Sequence, residues 1–385
     1  MGLKYGISAR DWRDIGKRLT RYWRDIGKRL AGYRRNIGTR LTGYWRDIGK
    51  RLAGECMRIG KLSNELLESM ILGKLKRHDG RIISAAGIGE DCGVVDYGEN
   101  CCIISGDPVT GAARHIGSIS VHVACNDIAA YGVRPLAIIV VILIPPHFQE
   151  SDVEMIVNDL IKTADSIKVS VIGGHTEVTD AVTRAVISIT AIGITEHGKY
   201  VTTRNAQVGD TVIMTKKAGL EGAAIIAADM EDVLKPVFGA KMLAAVMAFS
   251  DKISVIEEGV IAREMGAAHA MHDITEGGVY GAAWEMAEAS GVGIEIFKEN
   301  IPIMDETVML CEHLKLDPYR LTSSGSMMIA TDIPAQLEEK LHAAGIECAR
   351  IGRIIGDRNS RYVIDGNGCS VALESPGADE LYKVL

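Results

Sequence analysis

Carboxylates beside glycine-rich segments are the first candidates for chemistry in this sequence. In residues 87–93 (Gly-Ile-Gly-Glu-Asp-Cys-Gly) an acidic pair follows Gly87 and Gly89, so backbone amides and the Asp91 carboxylate can approach one ligand. Asp107 ends an apolar, strand-like run beside Gly and Pro, where a turn-forming role is the alternative interpretation. Both positions suit a charged ligand.

A second polar pair, Asn126 and Asp127, lies in an apolar stretch that we expect to be helical over residues 113–131. Polar side chains in such surroundings are costly unless they are paired, which favours a binding site. His122 lies one turn earlier and can face the same way. For His122 alone, a hydrogen-bonded core histidine is the preferred interpretation.

Two further segments place glycines close to predicted strands. Residues 173–177 read Gly-Gly-His-Thr-Glu and offer exposed amides together with oxygen ligands. Residues 272–278 (His-Asp-Ile-Thr-Glu-Gly-Gly) join a strand to a helix, and the amides of such a turn suit phosphate. The alternative there is a tight turn with Thr275 as an N-cap. Residues 323–326 (Ser-Ser-Gly-Ser) give a weaker signal of the same kind.

The donor types indicate magnesium rather than zinc. Carboxylates with Asn and Thr oxygens suit Mg²⁺, which shares its shell with phosphate oxygens and water. The sequence contains no Gly-x-x-x-x-Gly-Lys-Ser/Thr loop, and residues 87–93 differ from the dinucleotide-binding fingerprint. A nucleotide site in this chain would therefore be of another kind.

The elements that must position these residues alternate between strands and helices in both halves of the chain. We predict helices at 62–77, 113–131, 150–166, 219–230, 240–265, 277–290 and 334–344. We predict strands at 92–97, 101–105, 136–144, 169–172, 185–194, 211–215, 268–272, 326–330 and 349–354, with a break at Gly173-Gly174. At 385 residues the chain exceeds one typical domain. We expect two domains of α+β or α/β class, residues 57–205 and 206–385.

Composition narrows the class of protein. The net charge of −7 is uneven, because residues 1–56 hold 15 Lys and Arg against 5 Asp and Glu, and the remainder is strongly acidic. An acidic body argues against nucleic-acid binding as the main function. The eight cysteines form no Cys-x-x-Cys pair, so we expect reduced, buried thiols. Apolar runs such as 136–144 are shorter than the ~20 residues of a membrane span, and we expect a cytoplasmic protein without a signal peptide.

Residues 11–54 are four near-copies of an eleven-residue unit of the type Tyr-Trp-Arg-Asp-Ile-Gly-Lys-Arg-Leu-Ala-Gly. This period places the apolar residues on one stripe of a helix whose other face is basic, as in membrane-surface helices. The repeated glycines disfavour a helix, and the near-identity of the copies indicates a recent duplication. We expect residues 1–56 to be an appendage or a misassigned start before Met57, with a membrane anchor or a partner-binding helix as the alternatives.

The order of these segments resembles the aminoimidazole-ribonucleotide (AIR) synthase superfamily. The resemblance rests on Gly-Ile-Gly-Glu-Asp at 87–91, Asp-Pro-Val at 107–109, Asn-Asp-Ile-Ala-Ala-Tyr-Gly-Val-Arg-Pro at 126–135, Gly-Gly-His-Thr at 173–176 and Met-His-Asp-Ile-Thr-Glu-Gly-Gly at 271–278. It covers roughly residues 58–385. That superfamily includes AIR synthase, selenophosphate synthetase, thiamine-monophosphate kinase and the carbamoyl dehydratase of hydrogenase maturation, and this chain is closest in motif style to the hydrogenase-maturation HypE-like proteins.

The resemblance implies a fold and a set of roles. It implies an N-terminal PurM-like α+β domain that binds ATP and dimerises through its sheet, followed by a C-terminal PurM-like α/β domain. It implies ATP and Mg²⁺ as cofactors, with Asp91, Asp107 and Asp127 on the metal. The residues implied to bind nucleotide or phosphate are Gly87, Gly89, Asn126, Gly173, Gly174, Thr176, Thr275, Gly277 and Gly278. The implied catalytic side chains are Asp127, Asp273 and His175.

Departures from the named members limit the choice of substrate. The hydrogenase-maturation enzymes end in Pro-Arg-x-Cys, whereas this sequence ends Leu-Tyr-Lys-Val-Leu, with its last cysteine, Cys369, sixteen residues earlier. Thiamine-phosphate kinases usually have Asp where His175 stands. Selenophosphate synthetases need a reactive cysteine near a lysine, and Cys56 lacks that setting. We therefore expect phosphoryl transfer from ATP to an oxygen of a small molecule or of a carbamoyl or amide group. A non-catalytic nucleotide-binding maturation factor, or a thiamine-monophosphate kinase-like enzyme, is the alternative.

Overall fold

Two β-sheets, one from each half of the chain, organise the described residues. The structure, a computed structural model, describes residues 59–112 and 114–384. Residues from Ile59 onward cluster in one compact unit that contains both sheets. The basic repeats at residues 1–56, Cys56 and the start at Met57 lie outside the described residues, and the domain boundary near residue 205 stays a prediction.

The first sheet has six strands in the order β1-β2-β3-β6-β4-β5. Its strands are β1 Ile82–Ser84, β2 Gly93–Tyr97, β3 Asn100–Val109, β4 Pro135–Ile144, β5 Ser170–Val178 and β6 Val186–Glu196. All neighbouring pairs are antiparallel except β4 with β5. Along β3 and β6 buried residues alternate with more exposed ones, which is the pattern of a sheet with one covered face.

Three helices belong to this half: α1 Asn64–Met70, α2 Ile116–Ala130 and α3 Glu150–Ser166. The hydroxyl of Ser63 accepts from the Leu66 amide and so caps the N-terminus of α1. Helix α1 is shorter than predicted, and extended backbone begins at Leu75. Helix α2 packs on β3 and β6 and is almost wholly buried, so the polar residues that it carries are withdrawn from bulk water.

The second sheet has seven strands in the order β13-β12-β9-β11-β7-β10-β8. Its strands are β7 Thr211–Thr215, β8 Ala270–Asp273, β9 Gly293–Phe297, β10 Met327–Thr331, β11 Cys348–Ile355, β12 Arg361–Ile364 and β13 Ser370–Ala372. Only β12 with β9 is parallel. The helices of this half are α4 Leu220–Asp229, α5 Glu231–Met247, α6 Ile256–Glu264, α7 Gly278–Ser290, α8 Asp305–Leu314 and α9 Pro334–Ala343. The described fold is therefore the mixed α and β architecture that the sequence predicts.

Two local predictions are wrong. The break expected at Gly173-Gly174 is absent, because β5 continues through both glycines beside β4. A Cβ at Gly174 would lie 2.0 Å from the carbonyl oxygen of Val140, so the glycine permits this close pairing. The single helix predicted over 240–265 is two helices, α5 and α6, separated by a 3₁₀ turn at Ala248–Lys252.

One helical stretch, Glu231–Lys252, is long and apolar enough to cross a membrane by length and composition alone, with a mean hydropathy of 1.5. A non-helical glycine, Gly239, divides it, and Leu234, Leu243 and Val246 are buried against the rest of the unit. The stretch packs with α4. Of its most apolar 18-residue window, 22% is buried inside the described fold.

Candidate functional site

A cleft of about 590 Å³ is lined by residues from both halves of the chain. Its walls come from the loop between β1 and β2, the end of β3, helix α2, the loop after β8 and a segment near residue 380. Six sequence-predicted site residues line it: Gly87, Gly89, Asp91, Asp107, Asp127 and Thr275. The structure thus brings together all three predicted metal ligands, although they are separated by up to 36 positions in the chain.

The three carboxylates reach the cleft from three different elements. Asp91 follows the glycine loop, Asp107 lies on β3, and Asp127 lies on α2 with only 2% of its surface exposed. The hydroxyl of Ser105 donates a hydrogen bond to Asp127. Burial raises the pKa of Asp127 well above its ordinary value, and the neighbouring Asp107 adds to the rise. Burial likewise raises the pKa of Asp107.

His272 connects two of the cleft's acidic residues. Its Nε2 lies 3.2 Å from Oε2 of Glu285, and its Nδ1 lies 3.2 Å from Oδ2 of Asp91 without the alignment of a hydrogen bond. Burial alone would lower the pKa of His272, but Asp91, Asp273 and Glu285 together raise it well above its ordinary value. The sequence analysis did not select His272. The sequence feature that could have indicated His272 is the run of polar residues at the end of a buried strand.

Asp273 lies directly beside this group and is fully buried. Neither of its carboxylate oxygens has a hydrogen-bond partner among the described residues, and His272 Nδ1 is 3.9 Å away. Burial raises the pKa of Asp273 to about 6, while His272 holds it from rising further. A carboxylate in this position is costly unless a cation or a donor group approaches it.

These residues fit a divalent cation. One ligand atom from each of Asp91, His272 and Asp273 lies within 4.8 Å of the others, and the buried Oδ2 of Asp91 has no hydrogen-bond partner in the described part of the chain. Asp107 and Asp127 line the same cleft as Asp91. The carboxylate oxygens here outnumber the positively charged groups that could balance them. Mg²⁺ bound together with a phosphate-bearing ligand requires such oxygen donors.

A lysine missed by the sequence analysis stands at the same cleft. Nζ of Lys61 lies 3.5 Å from Oε2 of Glu276, and the Lys61 side chain is 55% exposed. Partial burial opposes its charge, but Glu285, Glu276, Asp91 and Asp107 together raise its pKa above the ordinary value. Lys61 carries no local signal in the sequence, since it precedes a short helix in an unremarkable Gly-Lys-Leu run.

The loop at residues 87–91 is held in place by its neighbours. Gly89 has a φ of +72°, and a Cβ there would lie 2.9 Å from the carbonyl oxygen of Glu285, so a side chain would push the loop away from α7. The buried carboxylate of Glu90 accepts from Arg204 Nε at 2.5 Å and from the Tyr131 hydroxyl. Glu90 is therefore a structural anchor, while Gly87 and Gly89 face the cleft.

Asn126 does not take part in the cleft, which corrects its predicted role in nucleotide binding. Its Nδ2 donates to the carbonyl oxygen of Ile253 at 2.7 Å, and its Oδ1 accepts from the amide of Val255 at 2.9 Å. Both polar ends of the side chain are therefore used by the backbone that precedes α6, and the residue is fully buried. The apolar sequence context correctly indicated that the Asn126 side chain needs hydrogen-bond partners, but it could not identify those partners.

The predicted phosphate cradle at Gly277 and Gly278 is also not formed. The amide of Gly277 donates to Oδ2 of Asp379 at 2.7 Å, and the amide of Gly278 donates to the carbonyl oxygen of Thr275 at 3.0 Å. Gly278 has a φ of +61°, and a Cβ there would lie 2.5 Å from the carbonyl oxygen of Tyr319. These glycines serve close packing, and of this turn's predicted residues only Thr275 lines the cleft.

The Gly-Gly-His-Thr segment lies away from the cleft. Gly173, Gly174, His175 and Thr176 belong to β5, an exposed edge strand of the first sheet. His175 pairs with Glu177 at 3.1 Å on the surface. Within one chain His175 therefore does not join Asp127 and Asp273, contrary to its predicted catalytic role, and the three nucleotide contacts predicted for its neighbours are not assembled either.

Comparison with known proteins agrees with this architecture. Residues 89–195 match the N-terminal domain model of AIR synthase related proteins, and residues 207–365 match the C-terminal domain model. A protein from Methanocaldococcus jannaschii named for hydrogenase expression/formation is 33% identical over 285 residues, which are 70% of this chain and 80% of the relative.

Two solved structures share the fold. The HypE-HypF complex has a chain that superposes with a TM-score of 0.67 at 22% identity, covering 81% of this chain and 99% of that chain. ThiL complexed with AMPPCP and TMP superposes with a TM-score of 0.66 at 22% identity, covering 84% and 99% respectively. Both domain models, the relative and these folds agree, and the chain belongs to the AIR synthase superfamily as a HypE-like member.

Proposed function

We propose that this protein binds ATP with Mg²⁺ in the cleft and transfers a phosphoryl group to an oxygen of a small molecule or of a carbamoyl or amide group. The observation that carries the proposal is the convergence of Asp91, Asp107 and Asp127 beside the unpartnered carboxylate of Asp273. Such a surplus of buried negative charge is costly without a cationic ligand. The ThiL structure holds AMPPCP on the same fold, which supports a nucleotide as the second component.

Each residue of the cleft has a role in this proposal. Asp91, Asp107 and Asp127 hold Mg²⁺, which neutralises charge on the phosphates when bound. His272 fixes Asp91 from behind, through its contacts with Asp91 and Glu285. The ammonium group of Lys61 faces the transferred group from the cleft's edge.

The bond changes follow from these positions. The acceptor oxygen attacks the terminal phosphorus, the new P–O bond forms, and the bond to the ADP oxygen breaks. In this proposal the proton released by the acceptor passes to a carboxylate that lines the cleft, because Asp273 is fully buried and lies outside the lining. Exclusion of water by the buried wall keeps the phosphoryl group from hydrolysis.

The test is Mg-ATP binding by isothermal titration calorimetry, followed by product analysis. Asp127→Asn keeps the side-chain shape but removes the charge, and we expect a loss of at least about tenfold in affinity, or roughly 1.4 kcal/mol. Asp165→Asn, on the exposed face of α3, is the matched control and should bind as the parent does. Equal affinity in all three proteins would defeat the proposal.

A homodimer joined through the first sheet is part of this proposal. The edge strand β5 presents apolar residues to solvent, with Ile172 at 60% and Val178 at 67% exposure. A second copy lying against this edge would cover them and could bring His175 and Thr176 to a neighbouring cleft. Ile172→Lys with Val178→Lys should turn a dimer into a monomer in light scattering. A parent protein that is itself monomeric would contradict the dimer.

A second candidate function is a nucleotide-binding maturation factor that does not turn over by itself. The observation that favours it is the absence of any cysteine from the cleft lining in the described residues, where segment 379–382 contributes Asp379, Leu381 and Tyr382. A HypE chain is found in complex with HypF, so a protein partner suits the family's fold. Tight ATP binding without product in a single-turnover assay, together with a co-purifying partner, would favour this alternative. A thiamine-monophosphate kinase-like reaction is tested in the same assay by adding thiamine monophosphate.

A further inference from the structure

Three potential metal ligands meet at the end of β3 that is remote from the cleft. Asp96 is the second-last residue of β2, Cys101 is the second residue of β3, and His197 follows β6. One ligand atom from each lies within 4.8 Å of the other two. Cys101 pairs with Asp96 on one side and with Thr195 on the other. Since alternate residues share a face of a sheet, His197, two positions after Thr195, falls on the same face as the other two.

The backbone around this cluster is fixed by two tight turns. In the first turn, Oδ1 of Asp96 accepts from the amide of Gly98 at 2.7 Å, which leaves the other carboxylate oxygen available. In the second, the amide of His197 donates to the Glu99 carbonyl at 2.9 Å, and the amide of Lys199 donates to the Glu196 carbonyl at 3.0 Å. The three donors are therefore held on a rigid frame before any ligand arrives.

Two of the three donor residues reach solvent, since Asp96 is half-buried and His197 is exposed. Among the described residues, the imidazole of His197 has no hydrogen bond or ion pair, and the residue is exposed. The residue Cys101 is 0% exposed, and burial raises the pKa of its thiol, while the Gly198 amide beside the sulfur opposes that rise. An amide aimed at a cysteine sulfur is a typical outer contact of a metal-bound thiolate.

We propose that Asp96, Cys101 and His197 form a binding site for Zn²⁺ or a similar borderline-soft divalent cation, with a fourth position open to water. A sulfur, an imidazole and one carboxylate suit zinc, whereas Mg²⁺ requires oxygen ligands. Zinc–ligand lengths of about 2.0–2.3 Å place tetrahedral donors about 3.3–3.7 Å apart. The donor atoms lie within 4.8 Å of one another, so each separation needs to close by no more than about 1.1–1.5 Å.

This site is distinct from the cleft. Cys101 and Asp107 lie six residues apart on β3, which corresponds to about 20 Å along an extended strand. A bound ion would link the β2–β3 turn to the turn after β6. It would therefore stabilise the end of the first sheet that is remote from the cleft. Its effect is therefore on stability rather than on phosphoryl transfer.

Cobalt titration of the metal-free, reduced full-length chain tests the proposal. Co²⁺ bound by a thiolate gives a charge-transfer band in the near ultraviolet, and we expect this band to saturate at one thiolate-bound equivalent per chain and to be lost when Zn²⁺ displaces that ion. Co²⁺ held in the cleft adds nothing to the band, because no cysteine lines the cleft in the described residues. Cys101→Ser and His197→Ala should weaken binding at this site at least about 10–100-fold, the range that loss of supporting contacts alone produces. Cys102→Ser is the matched control, because Cys102 is next in sequence but on the other face of the strand.

Cys101 is buried, so Cys101→Ser could fail to fold. In that case His197→Ala provides the test, because His197 is exposed and its replacement should leave the fold intact. Zn²⁺ should raise the Tm of the parent protein and of Cys102→Ser by more than it raises that of His197→Ala, in which only the cleft remains to bind the ion. Absence of the thiolate band from the parent protein would overturn the site. So would a band that persists unchanged in both Cys101→Ser and His197→Ala, since it would then arise from another cysteine.

Discussion

Replacing Asn126 tests whether this residue stabilises the fold, as its contacts indicate, or binds nucleotide, as the sequence predicts. The side chain bridges the Ile253 carbonyl and the Val255 amide, and the whole residue is buried. Asn126→Ala removes both hydrogen bonds and leaves two buried backbone groups without partners. Each such group costs about 1–3 kcal/mol, so we expect a loss of about 2–5 kcal/mol of unfolding free energy.

Thermal unfolding without nucleotide measures this loss. For a unit of this size, about 2–4 °C per kcal/mol corresponds to a fall in Tm of roughly 5–15 °C. Asn158→Ala, on the exposed surface of α3, is the control and should change stability by less than about 0.5 kcal/mol. Mg-ATP affinity, measured well below both melting temperatures, should fall by much less than the loss of about tenfold expected for Asp127→Asn. An unchanged Tm together with lost ATP binding would refute the reasoning and make Asn126 a ligand.

Two further predictions concern buried groups of the second half. Burial raises the pKa of Asp273 to about 6, above the value of about 3.9 in the unfolded chain, so the metal-free protein loses stability as pH rises from about 4 through 6. Asp273→Asn should therefore raise the Tm at pH 8 by more than at pH 4.5, and a gain equal at the two pH values would contradict this origin. Gly278→Ala places a Cβ 2.5 Å from the Tyr319 oxygen at a φ of +61°, and should cost more than about 3 kcal/mol or abolish soluble expression. Gly291→Ala has a similar φ of +66° in open space, and should cost only about 1–2 kcal/mol, so equal losses would show that the close contact does not matter.

The sequence predicts the helices and strands of this fold better than the tertiary contacts between them. Helix α3 runs from 150 to 166 as predicted, because its apolar spacing and N-terminal capping box are local features. Strand β5 was cut short in the prediction, because glycine pairs normally interrupt strands. Only the approach of the Val140 carbonyl, 34 residues away in sequence, explains why a glycine is needed inside a continuous strand.

The same distinction applies to the site. Asp91, Asp107 and Asp127 were correctly placed together, since each carries its own local signal in a turn or an apolar segment. The sequence predicted that Asn126 lines the cleft as its neighbour Asp127 does. Adjacent residues of a helix point in different directions, and only tertiary contacts show which of them faces the site. Lys61 and His272 were missed, since their importance comes from acidic groups contributed by distant elements.

Helix α2 couples two regions that have no other reason to respond to each other. Through Asp127 it faces the cleft, and through the adjacent Asn126 it holds the backbone before α6. Two neighbouring positions on one rigid helix cannot move independently, so their free energies are linked. By reciprocity, a ligand that fixes Asp127 also lowers the equilibrium population in which the segment around residues 253–255 is open, and opening of that segment weakens the affinity for the ligand by the same factor. The segment around residues 253–255 can therefore influence the affinity of the cleft without lining it.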